Sequence, residues 1–157
     1  MRRAKVIAAV TSDLITDNRV HKVSQTLIQM GFEVQLVGRK LKQSPAMNER
    51  AYQTKRFRLF FEKGFLFYAN YNIRLFTHLL FNKFDIVLSN DLDTLPACYF
   101  ASFLKGKKLI YDSHEYFTEV PELIDNPRIK RFWEHIEAKM VPHVTKAYTV
   151  CASIANV

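Results

Sequence analysis

A run of polar side chains capable of acid–base or hydrogen-bonding chemistry, Asp112, Ser113, His114 and Glu115, follows an apolar stretch of the chain. Histidine changes its charge near neutral pH, so His114 could act as a general base or bind a hydroxyl group. Ser113 and Glu115 could bind hydroxyl groups beside it. A single histidine is also often structural. We take His114 as the candidate catalytic residue and Ser113 and Glu115 as candidate substrate ligands.

A second polar segment contains Asn90, Asp91 and Asp93, and it follows the apolar residues Ile86–Leu88. The oxygens of these three side chains could accept hydrogen bonds from the hydroxyl groups of a sugar or polyol. The alternative is helix capping, because Asp91 or Asp93 stands just before a predicted helix and aspartate is a preferred N-cap residue. Capping requires only one of the three, so both interpretations stay open.

A third polar segment follows the first apolar run, Val6–Val10, and contains Ser12, Asp13, Asp17 and Arg19. Its backbone amides and the N-terminus of the next helix could hold a phosphate group. Two aspartates oppose an anion, which favours helix capping or the binding of hydroxyl groups instead. We treat the four side chains as candidate substrate ligands, with loop and cap as the alternative.

The elements that must position these segments are apolar strands alternating with helices, a pattern typical of a parallel sheet. Ligands of such sheets bind beyond the carboxyl ends of the strands, so we expect the three segments to meet at one edge. The predicted fold is an α/β three-layer Rossmann-like sandwich with helices on both faces of a mainly parallel sheet. Strands are predicted at 6–10, 32–37, 55–61, 86–88, 109–111 and 144–150, and helices at 19–30, 64–82, 94–104 and 126–140, with one more opening at Ser153.

Periodicity predicts which helix faces are buried. Asp17 is expected to cap the first helix and Gly31 to end it. One face of the second helix is expected to point inward: Phe65, Tyr68, Ala69, Phe76, Leu79 and Leu80. Phe67, Tyr71, Leu75 and Phe81 widen that face almost all round the helix. The last full helix is expected to bury Ile129, Phe132, Trp133, Ile136 and Met140.

Length and composition indicate one domain of a cytoplasmic protein. The chain has 157 residues, 48% of them hydrophobic, and its two cysteines form no metal motif or disulfide framework. Its longest uncharged run, Thr94–Leu104, is far shorter than the roughly 20 residues of a membrane-spanning helix. The chain stops just after a predicted helix start at Ser153, so we expect it to be the front part of a longer protein.

Missing motifs disfavour several classes of enzyme and site. The chain has only 4 glycines, and none lies in the turn directly after the first strand. Neither the dinucleotide-binding fingerprint nor the P-loop is therefore present. A dehydrogenase and a P-loop NTPase are therefore disfavoured. His114 and Glu115 do not have the spacing of a zinc site.

Several motifs, in this order and spacing, resemble the amino-terminal domain of group 1 (family 4) glycosyltransferases. They are Ser12-Asp13-Leu14-x-Thr16-Asp17-x-Arg19-Val20-x-Lys22, Gly31-Phe32-x-Val34, Gly38-Arg39, Asn90-Asp91-x-Asp93-x-Leu95, Tyr111-Asp112-Ser113-His114-Glu115-Tyr116-Phe117, Trp133-x-x-x-Glu137 and Thr149-Val150. The resemblance covers almost the whole chain.

The resemblance implies a two-domain GT-B enzyme that transfers a sugar from a nucleotide sugar with retention and without an obligatory metal or other cofactor. Residues 1–157 would be its amino-terminal, acceptor-side domain, with the donor-binding carboxy-terminal domain absent from this chain. The acceptor would be a glycan or a lipid-linked molecule. His114 would reach the transferred sugar or the reacting centre, and the Ser12–Arg19 segment would lie near the donor phosphates. The isolated domain is expected to be inactive.

Charge is unevenly distributed along the chain. Residues 1–63 contain 13 Lys or Arg and 5 Asp or Glu, a net +8, whereas residues 64–157 contain 10 of each. This asymmetry favours an anionic partner, with a merely solvated basic surface as the alternative. Nucleic acid is not the expected partner, because the chain has no recognised nucleic-acid-binding motif. Basic side chains and phenylalanines alternate near the second helix: Lys55, Arg56, Phe57, Arg58, Phe60, Phe61, Lys63, Phe65 and Phe67. They predict peripheral contact with the inner face of an anionic membrane, unless these phenylalanines pack under the sheet.

Three hypotheses about function remain open. The first is the acceptor half of a glycosyltransferase. The second is a non-catalytic module that binds an anionic surface or polymer, supported by the basic first 63 residues. The third is a Rossmann-like enzyme acting on sugar nucleotides, such as an epimerase, which the missing glycine fingerprint disfavours.

Overall fold

The computed structural model describes residues 2–114, 117–119 and 126–150. Its elements in chain order are β1 (Lys5–Asp13), α1 (Asn18–Gln29), β2 (Glu33–Lys40), β3 (Gln53–Arg58), α2 (Gly64–Phe81), β4 (Ile86–Asn90), α3 (Leu95–Lys105), β5 (Lys108–Ser113), a 3₁₀ turn (Phe117–Glu119), α4 (Pro127–Met140), a second 3₁₀ turn (Val141–His143) and β6 (Lys146–Thr149). The predicted helix opening at Ser153 lies outside the described residues. Among the described helices, none is long and apolar enough to span a membrane.

The described strands form one sheet in the order β3-β2-β1-β4-β5-β6. Every neighbouring pair is parallel. The chain moves outward from β1 to β3 and then returns, through α2, to place β4 on the other side of β1. The α/β fold with a parallel sheet is confirmed, and this reversal of direction between β1 and β4 is where such sheets bind their ligands.

Two apolar cores cover the two faces of the sheet, because side chains alternate along each strand. Val6, Ala8 and Val10 of β1 pack with Val20 of α1. Ile7 and Ala9 of the same strand belong to the other core, together with the buried residues of α2, α3 and α4. This double burial explains why the first strand is a continuous apolar run, and it establishes the predicted three layers.

The buried face of α2 is narrower than the predicted one, and Leu79 is buried as predicted. The helix buries a stripe at four-residue spacing, namely Phe67, Tyr71, Leu75 and Leu79. Phe65, predicted to point inward, is 58% exposed. Apolar residues almost encircle this helix, so periodicity could not fix its rotation. The rotation of α2 about its axis is fixed by the Tyr71 hydroxyl, which donates a hydrogen bond of 2.6 Å to the buried carbonyl of Val10.

The inward face of α4 is also narrower than predicted. Trp133 is buried, and Ile136 and Met140 pack against the same core. Ile129 and Phe132 remain exposed. Trp133 meets the rings of Phe117 and Tyr68 at 5.2 and 5.3 Å, so the core contact begins one turn inside the helix.

Helix ends and strand ends correct several details. Asp17 caps α1 as predicted, and Gly31 beyond its end has φ 91°, a left-handed conformation that suits glycine. The N-cap of α3 is Thr94, so the prediction of Asp91 or Asp93 was wrong. β1 continues to Asp13, because Asp13 still pairs with Arg39 of β2, and the expected polar loop is shortened accordingly.

A buried thiol lies where α3 packs against β4. Cys98 is fully buried and hydrogen-bonds Ser89 and Thr94. Burial raises the pKa of the Cys98 thiol to about 12. At neutral pH the thiol is therefore protonated and acts as a small packing group.

Candidate functional site

The candidate site lies at the carboxyl ends of β1, β4 and β5. These strands are direct neighbours, and Ala9, Ser89 and Tyr111 align across them. Their polar segments therefore share one edge of the sheet, as predicted. We call this edge, from Thr11 to Arg19, Ser89 to Asp93 and Asp112 to His114, the rim.

Strand alternation aims two rim side chains at the face that α1 covers. Leu88 and Ile110 belong to the core beneath α1, so Asn90 and Asp112, two residues further along their strands, point the same way. Asn90 aligns with Asp112 in the sheet. Both are almost completely buried. The two polar groups thus stand side by side beneath the N-terminus of α1.

Arg19 in the first turn of α1 holds this part of the rim together. Its Nη1 donates to Asp112 Oδ2 at 2.7 Å and to Asn90 Oδ1 at 3.4 Å. Its Nη2 lies 3.6 Å from Asp91 Oδ2. One guanidinium therefore organises side chains from two strand ends, using the fork of donors that only arginine provides.

Asp112 is a buried carboxylate with two partners. Besides Arg19, it receives a hydrogen bond from Tyr148, which aligns with it on β6. Burial raises the pKa of the Asp112 carboxyl, and the nearby Arg19 charge opposes this change. Burial likewise raises the pKa of the Tyr148 hydroxyl, and the Asp112 charge adds to the effect. Arg19 thus stabilises a charge that desolvation would otherwise disfavour.

Asp91 and His114 form a close pair at the centre of the rim. His114 Nδ1 lies 2.5 Å from Asp91 Oδ1. Asp91 has φ 66°, a left-handed conformation that only a small share of non-glycine residues adopt. Its backbone N–H donates to the carbonyl of Asp112 at 2.9 Å, which helps to hold that conformation. The Nδ1 side of the imidazole therefore faces Asp91.

Asp93 is fixed from both sides of the β4–α3 loop. Thr11 donates to Asp93 Oδ2 at 2.5 Å. Asn72 of α2 donates to the Asp93 carbonyl at 2.8 Å and accepts from the Ala97 N–H at 3.1 Å. Asn72 was not identified from the sequence, although a polar residue on an otherwise apolar helix is a recognisable signal of a buried polar contact.

Ser12 and Asp17 form the turn that begins α1. Ser12 donates to Asp17 Oδ2 at 2.6 Å, and Asp17 Oδ1 accepts from the Val20 N–H at 3.1 Å. The capping alternative is thus the contact observed for Asp17. The turn places Arg19 over the strand ends, so its first contribution to the rim is positional.

Asp13 stands apart from the Arg19 cluster. Its carboxylate accepts from the backbone N–H groups of Ile15 and Leu41 and from the Ser44 hydroxyl. Arg56 Nη1 lies 3.6 Å from Asp13 Oδ1. The structure brings Asp13 to the same sheet edge but turns it toward β2 and β3.

The last two candidates follow β5. Ser113 ends the strand, is partly exposed and hydrogen-bonds Tyr111. Glu115 lies outside the described residues. Across the described part of the chain, no group of three His, Cys, Asp or Glu side chains has an arrangement that could hold a metal ion.

Solved structures share this fold at low sequence identity. A sucrose-phosphate synthase chain from Thermosynechococcus elongatus superposes with a TM-score of 0.69 at 9% identity, covering 96% of this chain and 78% of that chain. A longer chain of that enzyme gives 0.60 at 11% identity, covering 94% and 48%. The glycosyltransferase SsfS6 from Streptomyces sp. SF2575 gives 0.56 at 14% identity, covering 95% and 51%. The chain thus spans about half the length of the last two.

Sequence comparison identifies the family. No curated protein sequence matches the chain. Residues 17–157, nearly the whole chain and all of the rim from Arg19 onward, match the family described as Glycosyltransferase Family 4. This match agrees with the glycosyltransferase resemblance of the Asn90–Leu95 and Tyr111–Phe117 motifs. The chain belongs to glycosyltransferase family 4.

Proposed function

We propose that this chain is the acceptor-binding half of a retaining glycosyltransferase. The full-length protein would move a sugar from a nucleotide sugar to a glycan or lipid-linked acceptor, with a carboxy-terminal domain binding the donor. It would work in the cytoplasm, at the inner face of a membrane. The observation that carries the proposal is the Asp91–His114 pair, held at the reversal point of the sheet by the Arg19 cluster.

His114 is the proposed catalytic residue. Asp91 faces Nδ1, so Nε2 is the nitrogen that we propose to contact a hydroxyl group of the transferred sugar or the reacting centre. His114 is partly exposed, which gives a ligand access to the ring. A neighbouring carboxylate both orients the imidazole and stabilises its protonated form. Asp91 is therefore the proposed positioning residue for His114.

The remaining candidate residues divide into those with a supporting role and those proposed to bind hydroxyl groups. Asn90 donates to the Ala9 carbonyl at 2.9 Å and accepts from Arg19, and Asp17 caps α1, so we assign these two a supporting role. Asp13 is assigned the same role. Asp91 keeps its positioning role, and Ser12, Asp93, Ser113 and Glu115 are the proposed hydroxyl-binding groups. By family resemblance, the reaction would use no resident metal ion or other cofactor.

The proposal is tested with the full-length enzyme, His114→Ala and a panel of nucleotide sugars. We expect turnover to fall by about 10²–10⁴-fold, the usual contribution of a positioned acid–base group. The melting temperature should stay close to wild type. His135→Ala is the matched control, because His135 is an exposed histidine on α4. Wild-type turnover in His114→Ala would refute the catalytic assignment.

Asp91→Asn tests the positioning role. Asparagine tolerates φ 66°, so the backbone should survive while the negative charge is lost. We expect turnover to fall about tenfold, because the imidazole loses the carboxylate that orients it. Wild-type turnover in Asp91→Asn would show that Asp91 does not act through His114.

A non-catalytic module that binds an anionic surface or polymer is the second candidate function. The observation that favours it is the exposed phenylalanines of the basic first half, Phe60 and Phe61. Failure of the full-length protein to transfer or hydrolyse any nucleotide sugar, together with retained binding to an anionic surface, would favour this module over the transferase.

A further inference from the structure

An exposed apolar surface lies at the N-terminal ends of α2 and α4. Its members are bulky side chains that are 37–79% exposed, and we call them the aromatic surface: Phe60, Phe61, Phe65, Leu66, Ile129 and Phe132. Two of the phenylalanines predicted for a membrane surface, Phe57 and Phe67, are instead buried under the sheet. Three of the predicted phenylalanines, Phe60, Phe61 and Phe65, are exposed, and Leu66, Ile129 and Phe132 join them.

Ring contact joins the two segments into one surface. The rings of Phe65 on α2 and Phe132 on α4 are 5.9 Å apart and meet edge to face. Phe60 in the β3–α2 loop lies beneath the Arg74 guanidinium, 5.2 Å from its ring centre. The apolar side chains at the start of α2 and at the start of α4, about 65 residues later in the chain, thus form one continuous surface.

Exposed cations flank the aromatic surface on both segments. Arg58 and Lys63 flank it on the β3–α2 side, and Arg128 and Arg131 on α4. Glu62 is the one acidic residue between Arg58 and Lys63 in the sequence. Arg56, predicted to join this group, instead pairs with Asp13 and is mostly buried. Four exposed cations around exposed aromatics match the chemistry of an anionic lipid headgroup region.

The aromatic surface lies at the same edge of the sheet as the rim. Loops that follow parallel strands and the helices that they start share the carboxyl edge. The β3–α2 loop is tied to that edge by Arg39 at the end of β2, whose Nη1 donates to the Glu62 carbonyl at 3.3 Å. The Arg39 guanidinium also lies 4.8 Å from the Phe67 ring centre. Because both lie at this edge, a partner that contacts the aromatic surface would also lie close to the rim.

We propose that the aromatic surface docks on an anionic lipid bilayer and presents the rim to a lipid-linked acceptor in that bilayer. This inference deepens the proposed function and rests on it for the nature of the acceptor. Basic side chains are attracted to an anionic leaflet, and phenylalanines insert at the headgroup boundary. A second copy of the chain fits less well, because a symmetric contact would bring the four cations against their own counterparts.

Vesicle co-sedimentation of this chain tests the inference. The probes are phosphatidylcholine vesicles with and without 30% phosphatidylglycerol (about one lipid in three, enough for a strongly anionic surface). We expect binding to the anionic vesicles only, weakened by salt. Phe60→Ser with Phe65→Ser should weaken it at least tenfold, as should Arg58→Glu with Lys63→Glu. Phe81→Ser with Phe103→Ser is the matched control, because these phenylalanines are equally exposed elsewhere.

The outcomes separate this inference from the proposed function. No binding to anionic vesicles at low salt, or unchanged binding in Phe60→Ser with Phe65→Ser, would overturn the docking surface. So would a dimer in sedimentation velocity that the same two substitutions abolish, since that result identifies a self-association surface. His114→Ala should bind vesicles like wild type. Vesicle binding without sugar transfer by the full-length protein would refute the transferase proposal and leave the docking surface standing.

Discussion

Two arginine–aspartate pairs occupy the same edge of the sheet and do different things there. Arg56 and Asp13 lie on the β2–β3 side, and Arg19 and Asp112 lie on the β4–β5 side. Both carboxylates are almost completely buried. Both were expected to gather near one site, because each follows or ends a strand of a parallel sheet.

The difference lies in what remains after each pair has formed. The Asp13 carboxylate accepts from the Leu41 N–H and the Ser44 hydroxyl, which begin the chain segment between β2 and β3, and Arg56 of β3 lies beside it. Arg19 instead collects Asn90, Asp91 and Asp112, and Asp91 in turn faces a partly exposed His114. One pair closes a loop, whereas the other arranges side chains around an accessible imidazole.

Exchanging each arginine for methionine gives the largest expected contrast. Arg19→Met removes the group that aligns three rim side chains, and misplacement by about 1 Å can cost about 100-fold in rate. We expect sugar transfer by the full-length enzyme to fall at least that far. Arg56→Met should retain turnover within about threefold, a change smaller than the loss of one catalytic contact. Equal losses of turnover in the two variants would remove the distinction between the pairs.

Asp13→Ala should mainly affect stability. It leaves Arg56 without its carboxylate and the Ile15 N–H without its side-chain acceptor, so we expect the free energy of unfolding to fall by about 2–4 kcal/mol. Urea denaturation of this chain measures the change. Asp17→Ala is a useful comparison, because loss of an N-cap alone costs about 1 kcal/mol. A smaller loss for Asp13→Ala than for Asp17→Ala would contradict the loop-closing role.

Asn72→Ala separates support of the rim from support of the β2–β3 side. The amide of Asn72 bridges α2 to the β4–α3 loop, so its loss should cost about 1–3 kcal/mol of unfolding free energy. Hydrogen exchange should show faster opening around Ala97 than in β2. Asn70→Ala is the control, since Asn70 accepts one longer bond from Phe60 at 3.3 Å. Uniform exchange across the sheet would argue against a local role.

His78 gives the smallest expected effect and lies away from the rim. Burial, together with the charges of Lys55 and Lys5, lowers the pKa of its imidazole. Between that lowered pKa and about 6.5, the unfolded chain binds more protons than the folded one, so stability should rise with pH in this window. The slope is at most about 1.4 kcal/mol per pH unit. His78→Gln should flatten the stability profile there, and an unchanged slope would exclude His78 as its source.

Much of the fold could be predicted because local patterns and global topology agree. A continuous apolar strand such as Val6–Val10 needs cover on both faces, and only a few connections satisfy that requirement. The rotation of α2 could not be predicted, because apolar side chains surround it. What fixes it is a distant contact, from Tyr71 to the Val10 carbonyl, that no local window contains.

The site was predictable in its position but not in its partners. The polar ends of β1, β4 and β5 identified the edge and His114. The Arg19–Asp112 contact joins residues 93 positions apart, and Tyr148 approaches from the last described strand. Strand alternation from Leu88 to Asn90 could have shown which face Arg19 meets. The turn of Asp91 into a left-handed conformation has no comparable signal in the sequence.

The buried thiol of Cys98 also makes the rim open to a chemical measurement of motion. Its hydrogen bonds to Ser89 and Thr94 place it directly behind the β4–α3 loop. With a pKa of about 12, it reacts with a thiolate-selective alkylating reagent only while that packing is transiently broken. In a Cys151→Ser background, the alkylation rate therefore reports how often the loop that carries Asp91 and Asp93 opens transiently. A bound ligand that stabilises the rim would lower the rate of Cys98 alkylation, whether or not a reaction follows.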